Sequence, residues 1–171
     1  MNAETLISQL EGQARLIRDL LLDTPPEAAR WRPGAESWSL LEVTAHLLDE
    51  EREDFRLRLD LTLHQPDREW PPIDPQGWVH ARAYQERELD AVLEAFLRER
   101  EDSLAWLHGL REPDWGRAHA HPAGFSLRAG DLLAAWVAHD LLHVRQIARL
   151  QLQRLARDCA PYSPDYAGPL S

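Results

Sequence analysis

Apolar residues return every three or four positions along four stretches of the chain, and each stretch predicts an amphipathic helix. In residues 4–22 the stripe is Leu6, Ile7, Leu10, Ala14, Ile17, Leu20 and Leu21, and Pro25 and Pro26 help to end it. The second helix opens at SWSLLE, where Ser39 is the N-cap, Glu42 completes a capping box and Trp38 precedes as the staple residue. It runs to about Thr62. A third pattern, from about Gln76 to Leu110, carries Tyr84, Leu89, Val92, Leu93, Phe96, Leu97, Leu104 and Leu107. The fourth opens at GFSLRAGD with Ser126 as its cap and ends near Asp158. Nothing in the chain reads as a strand. Four such helices in 171 residues predict an all-α four-helix bundle, a single domain over 1–171 with a Pro-rich C-terminal tail at 158–171.

The corners add topology. Between helices two and three lies HQPDREWPPIDP, with four prolines and no helical pattern. About 14 extended residues reach ~45 Å, whereas a helix of about 24 residues is ~36 Å long. This connection is therefore long enough to return helix three parallel to helix two. The corner EPDWGRAHAHPAGF after helix three is similarly long.

Charge narrows the function classes. Asp and Glu number 29 against 19 basic residues, all of them Arg, for a net charge of −10. Phosphate backbones need clustered cations, so nucleic-acid binding is not expected. Cys159 stands alone, which excludes an internal disulfide and a Cys-rich metal site. The start MNAETLISQLEGQAR lacks a signal-peptide pattern, and no segment approaches the ~20 apolar residues of a membrane span. The expectation is a soluble, cytoplasmic protein.

Candidate chemistry sits in the fourth helix, in WVAHDLLHVRQIARLQLQ. On a helical wheel His139 and His143 fall about 40° apart. They share a face with Leu132, Ala135, Trp136, Gln146, Ile147 and Leu150. The opposite side, with Leu133, Val137, Leu141, Val144, Ala148, Leu152 and Leu155, is also largely apolar. Helix four thus reads as buried on two sides, one closing the core and the other meeting a second subunit. A buried imidazole without a partner costs roughly 1–3 kcal/mol. Backbone carbonyls, water or a carboxylate can satisfy the pair, and so can a shared divalent metal, which histidines at i,i+4 bind well. HDLLH departs from the HExxH peptidase motif. Asp140 is one methylene shorter than the required Glu, no glutamate follows Glu112, and no third histidine follows His143.

A third ligand must then come from upstream: His46, His64, His80, His108, His119 or His121. His64 and His108 fall near helix ends, and His80 at the start of helix three, where solvation is expected. His119 and His121 belong to the last corner and are expected at the surface. His46 lies past the margin of the arc made by Leu40, Val43, Thr44, Leu47 and Leu48, nearer Glu42, Glu50 and Glu53. Periodicity leaves it open between a core-edge ligand and a polar flank.

The stretch WRPGAESWSLLEVTAHLLDEE, followed far down the chain by HDLLHVRQI, resembles the DinB/YfiT-like superfamily. The resemblance rests on W-S-x-x-E-x-x-x-H-L in the second helix and H-x-x-x-H in the last, in order and spacing over nearly the whole chain. It implies a four-helix bundle of up-down-down-up order, commonly dimeric, with His46, His139 and His143 as metal ligands. The tail after Asp158 has no counterpart in that pattern.

Three neutral imidazoles leave at least one coordination position open, as in catalytic sites. Zn or Ni suits such a donor set best, and Fe or Mn is admitted. A metal held this way acidifies bound water or stabilises a thiolate. Cys159 is poorly placed to act, so a thiol would arrive as a low-molecular-weight cosubstrate. The leading expectation is a thiol-dependent S-transferase of detoxification type acting on a small-molecule substrate. The alternatives are a metal-dependent hydrolase on the same site and a non-catalytic, metal-binding or stress-related dimeric bundle. Glu42 and Glu50 flank His46 by one turn each, as candidates to orient it or face the metal; a solvated face, or for Glu42 the capping box, is the plainer reading. Asp140 is a candidate to support the ligands from behind, and Trp38 and Trp136 to line a pocket. Arg145 and Arg149 form a polar edge expected to meet solvent or a partner rather than an anionic thiol.

Overall fold

The protein is described from a computed structural model over residues 2–121 and 124–169. Helix α1 spans Ala3–Leu21, capped by the Asn2 side chain, and buries Ile7, Leu10, Gln13, Ala14, Ile17 and Leu21. A five-residue helix, α2 (Pro26–Arg30), follows the proline pair. Ser39 then caps α3 (Leu40–Glu50) through the expected reciprocal box with Glu42. The helix continues through a π-helical turn, Glu51–Phe55, into α4 (Arg56–His64). The third expected helix is broken. It consists of α5 (Pro75–Ala81), a 3₁₀ turn at Tyr84–Glu86, and α6 (Leu89–Gly109). The last helix, α7, spans Ala129–Asp158.

Three sequence expectations need correction. The expected third helix runs on through residues 82–88, but tertiary contacts turn the chain there. Arg82 pairs with Asp49 and Glu53 and lies over the Trp78 ring, while the Tyr84 hydroxyl donates to Asp49. With Ala83 in the left-handed region at φ 47°, helix gives way to a corner. The expectation of no strand also fails. Strands β1 (Ala118–Ala120) and β2 (Ser126–Arg128) form an antiparallel ribbon, with His119 opposite Leu127. Gly124 adopts φ 86° in the turn, a conformation open to glycine at little cost. Ser126 therefore donates to His119 O within the ribbon instead of capping α7, and Asp131 accepts from the Arg128 backbone in its place.

Pairings between helices fix their directions. Gln13 donates to Val137 O and Gln151 to Leu20 O, so α1 and α7 run parallel. Glu51 meets Arg100 and Arg56 meets Ser103, so the α3–α4 helix and α6 run parallel. Ile7 and Leu10 cluster with Leu107, whereas Ile17 and Leu21 cluster with Leu93 and Phe96, so α1 opposes α6. The order is up-down-down-up. Two apolar clusters fill the bundle, one around Ile17, Leu47, Phe96 and Ile147, the other around Leu10, Leu59, Leu133 and Trp136. Charged side chains and the three histidines lie between them. Among the described residues, no helix is long and apolar enough to cross a membrane.

Candidate metal centre

The ligand candidates come from two helices that face each other. His46 lies in the middle of α3, and His139 and His143 stand one turn apart on α7. His46 Nε2 is 3.2 Å from His139 Nε2, and His143 Nε2 is 3.1 Å from the same atom. Ligand bonds of about 2.0–2.1 Å at tetrahedral angles separate imidazole nitrogens by about 3.3–3.4 Å, close to both values. His46 is buried and the α7 pair half-buried. Among the described residues, this is the one group of three potential ligands with atoms all within 4.8 Å of one another.

Electrostatics favour three neutral rings. Burial, then the nearby His143, pushes His46 down to about 3. Burial and the neighbouring His143, His46 and Arg100 push His139 down to about 2. His143 is lowered too, chiefly by burial, against an opposing hydrogen bond to Gln146. That bond sets a tautomer: Gln146 Oε1 lies 2.8 Å from His143 Nδ1 and accepts its proton, leaving a lone pair on Nε2. Lone pairs converging at these distances repel unless a proton or cation lies between them. The donor set therefore fits a divalent cation.

The surroundings hold the rings in place. Trp38 packs 4.9 Å from His46, and Phe55, carried on the π-helical turn, packs 4.9 Å from His139. Glu50 Oε1 lies 3.8 Å from His46 Nδ1; both atoms are buried without a hydrogen-bond partner. Burial, reinforced by Asp54, lifts the Glu50 carboxyl to about 8. Behind the histidines, Arg100 is 1% exposed. Its Nε and Nη2 donate to Glu51 at 2.8 and 2.7 Å, and Nη1 donates to Asp140 at 2.6 Å and to Leu10 O at 3.1 Å. The Trp136 indole N–H also donates to Glu51, at 3.1 Å. A cleft of about 630 Å³ opens onto His46 and His143, lined also by Trp38, Gln76, Gln146 and Arg149.

A family model described as the DinB superfamily matches residues 9–147. The chain belongs to the DinB superfamily. A protein of Oceanobacillus iheyensis, provisionally named a metal-dependent hydrolase, is 25% identical over 145 residues, which is 84% of this chain and 83% of that protein. YfiT from Bacillus subtilis, described as a probable metal-dependent hydrolase with an unusual four-helix bundle topology, matches in structure. The TM-score is 0.79 at 18% identity, over 89% of this chain and 87% of that one. At that identity the likeness is one of fold.

Within this DinB superfamily bundle the other sequence candidates go elsewhere. His64, His80 and His108 are exposed, with His64 3.6 Å from Asp60. His119, expected at the surface, is only 3% exposed; it stacks on Trp70 at 4.3 Å, with Nδ1 2.9 Å from Pro66 O. Glu42 is fully buried. Burial raises its pKa, but the Arg32 guanidinium and the Ser39 N–H outweigh that and hold it below the usual carboxylate range. Its carboxylate is taken up by Arg32 and by the cap of α3. Asp140 goes to Arg100, and Trp136 is core, so of the two tryptophans only Trp38 lines the cleft. Of the Glu51–Arg100–Asp140 cluster, the sequence candidates include Asp140 alone. The cluster's other sequence signal was an arginine in the apolar stripe of α6, one turn from Phe96. Cys159 lies just past α7, its thiol donating to backbone carbonyls.

Proposed function

We propose that this protein is a metal-dependent enzyme that binds a divalent cation through His46, His139 and His143 and acts on a small molecule in the adjoining cleft. The observation that carries the reading is the convergence of three imidazole nitrogens where His46 and His143 open onto one cleft. Zn or Ni is the preferred occupant, with Fe or Mn admitted by the same donors. Such an ion, when bound with an open position, supplies Lewis acidity that lowers the pKa of a water or thiol ligated to it. The chain's own residues do the rest. Gln146 fixes the tautomer of His143, and Trp38 and Phe55 hold His46 and His139 in orientation and keep water from them. Glu50 lies 3.8 Å from His46 Nδ1, placed to accept from that ring and orient it.

Hydrolysis of a small substrate is the chemistry supported by the descriptions of the two similar proteins. Thiol-dependent transfer is the second reading. A metal with an open position stabilises a thiolate as it does a hydroxide, and since no cysteine lines the cleft the thiol would come from a cosubstrate. A homodimer formed through the outer face of α7 completes the proposal.

Elemental mass spectrometry on untagged protein tests the metal reading. About one equivalent of metal is expected in wild type, with loss in His46→Ala and in the His139→Ala/His143→Ala double variant. No metal in the purified protein, and no uptake of added Zn²⁺, Ni²⁺ or Mn²⁺, would reject it. Turnover that continues without thiol assigns hydrolysis, and turnover that stops assigns transfer. A melting temperature lowered by EDTA, with no turnover of any substrate class, would leave a structural metal and remove the enzyme.

A further inference from the structure

Arg149 stands in the wall of the cleft that opens onto His46 and His143 and is the cationic side chain there. Read from the sequence it shares a polar edge with Arg145. Arg145 lines only the groove on the outer face of α7, whereas Arg149 lines that groove and the cleft as well. The protein carries a net charge of −10, and the later arginines of α7 meet carboxylates: Arg154 meets Asp158 and Glu27, and Arg157 meets Asp158. Arg149 meets no carboxylate among the described residues. An arginine with no carboxylate partner in the wall of the cleft onto which His46 and His143 open is a receptor for an anion, and its planar fork matches a carboxylate.

Position defines the ligand further. His143, Gln146, Arg149 and Gln153 succeed one another along one side of the same helix, so their spacing is rigid. Six residues separate His143 from Arg149, about 9 Å along the axis. The cleft's one carboxylate, Glu36, stands in the irregular segment before α3. With one cation and one anion in the walls, a singly charged carboxylate suits the cleft better than a doubly charged phosphate. We infer that the substrate or cosubstrate of this site carries a carboxylate a few bonds from its metal-directed atom, and that Arg149, with Gln153, binds it. The inference rests on the metal reading above.

Cobalt-loaded protein separates the two. The probes are 3-mercaptopropionate and 3-mercapto-1-propanol, thiols of equal length that differ in the carboxylate, each titrated by the thiolate-to-cobalt charge-transfer band. Wild type is expected to bind the acid about tenfold more tightly, the worth of one charge-assisted contact. Arg149→Gln should erase that preference and leave affinity for the alcohol unchanged, while Glu36→Gln keeps or raises it. Equal affinities in wild type, a preference that survives Arg149→Gln, or cobalt uptake with no band from either thiol would each overturn the inference and leave the metal centre standing. Failure to take up Co²⁺ at all would remove the metal centre and the inference together.

Discussion

His143 depends on Gln146 in a way that can be measured. The amide oxygen is the partner of His143 Nδ1, and the two residues sit one turn apart on a rigid helix. Groups that hold the outer nitrogen of a ligating histidine fix its tautomer and raise its basicity, and losing one typically costs 10–100-fold in metal affinity. Gln146→Leu should weaken Zn²⁺ binding by about that factor while the melting temperature of the metal-free protein moves little. Competition against a chromophoric chelator reads the affinity, and an unchanged value would mean that packing alone orients the ring. At this scale the sequence was most legible where residue type and period disagree. Two histidines in an apolar stripe announced themselves, whereas His46, on the margin of its stripe, needed the family pattern. Glu42 and Asp140 were visible as acids near ligands, but their partners Arg32 and Arg100 lie 10 and 40 residues away. No local spacing encodes those pairings.

Helices α3 and α7, which carry the histidines, are tied together through α6. Arg100 bridges Glu51, five residues past His46, to Asp140, the neighbour of His139. All three side chains are 1% exposed. Removing one member of a buried ionic cluster strands the others, at about 3–5 kcal/mol, whereas replacing the whole cluster with apolar residues of similar volume is often neutral or stabilising. Arg100→Met should therefore destabilise the metal-free protein by about that amount in urea unfolding. The triple variant Glu51→Leu/Arg100→Met/Asp140→Leu should recover most of the loss. A single variant costing under about 1 kcal/mol would show that the cluster is solvated and ties nothing. The π-helical turn that begins at Glu51 sends this carboxylate to Arg100 and Phe55 to His139. The extra residue shifts the apolar stripe by about 100°, but the nine residues of α4 are too short a stretch for that shift to be read from the sequence. Caps and stripes placed α1, α3 and the body of α7 to within a few residues. The break at Ala83 and the β1–β2 ribbon arise from contacts with distant elements, which a periodicity cannot carry.

The molecule as a whole leaves one helix face uncovered. Leu141, Leu152 and Leu155 fall along a single side of α7 and are 52%, 39% and 51% exposed; Ala134 and Ala138 precede them, Ala148 lies among them, and Arg145 and Arg149 border the groove. Adjacent Leu142 is 53% exposed. Scattered surface leucines need no explanation, but a continuous stripe over about five turns of one helix resembles an interface. The groove along this face shares His143, Gln146 and Arg149 with the metal-site cleft, so a second copy seated there would also wall the site. A two-fold pairing is the simplest arrangement, because it matches the same stripe on both subunits. Wild type should sediment as a dimer at micromolar concentration, and Leu152→Glu/Leu155→Glu as a monomer, since facing carboxylates in an apolar seam remain unpaired. Metal content per chain should be the same in both, because all three candidate ligands come from one chain. A wild-type monomer would dismiss the dimer, and a dimer that survives the double substitution would move the interface to another face.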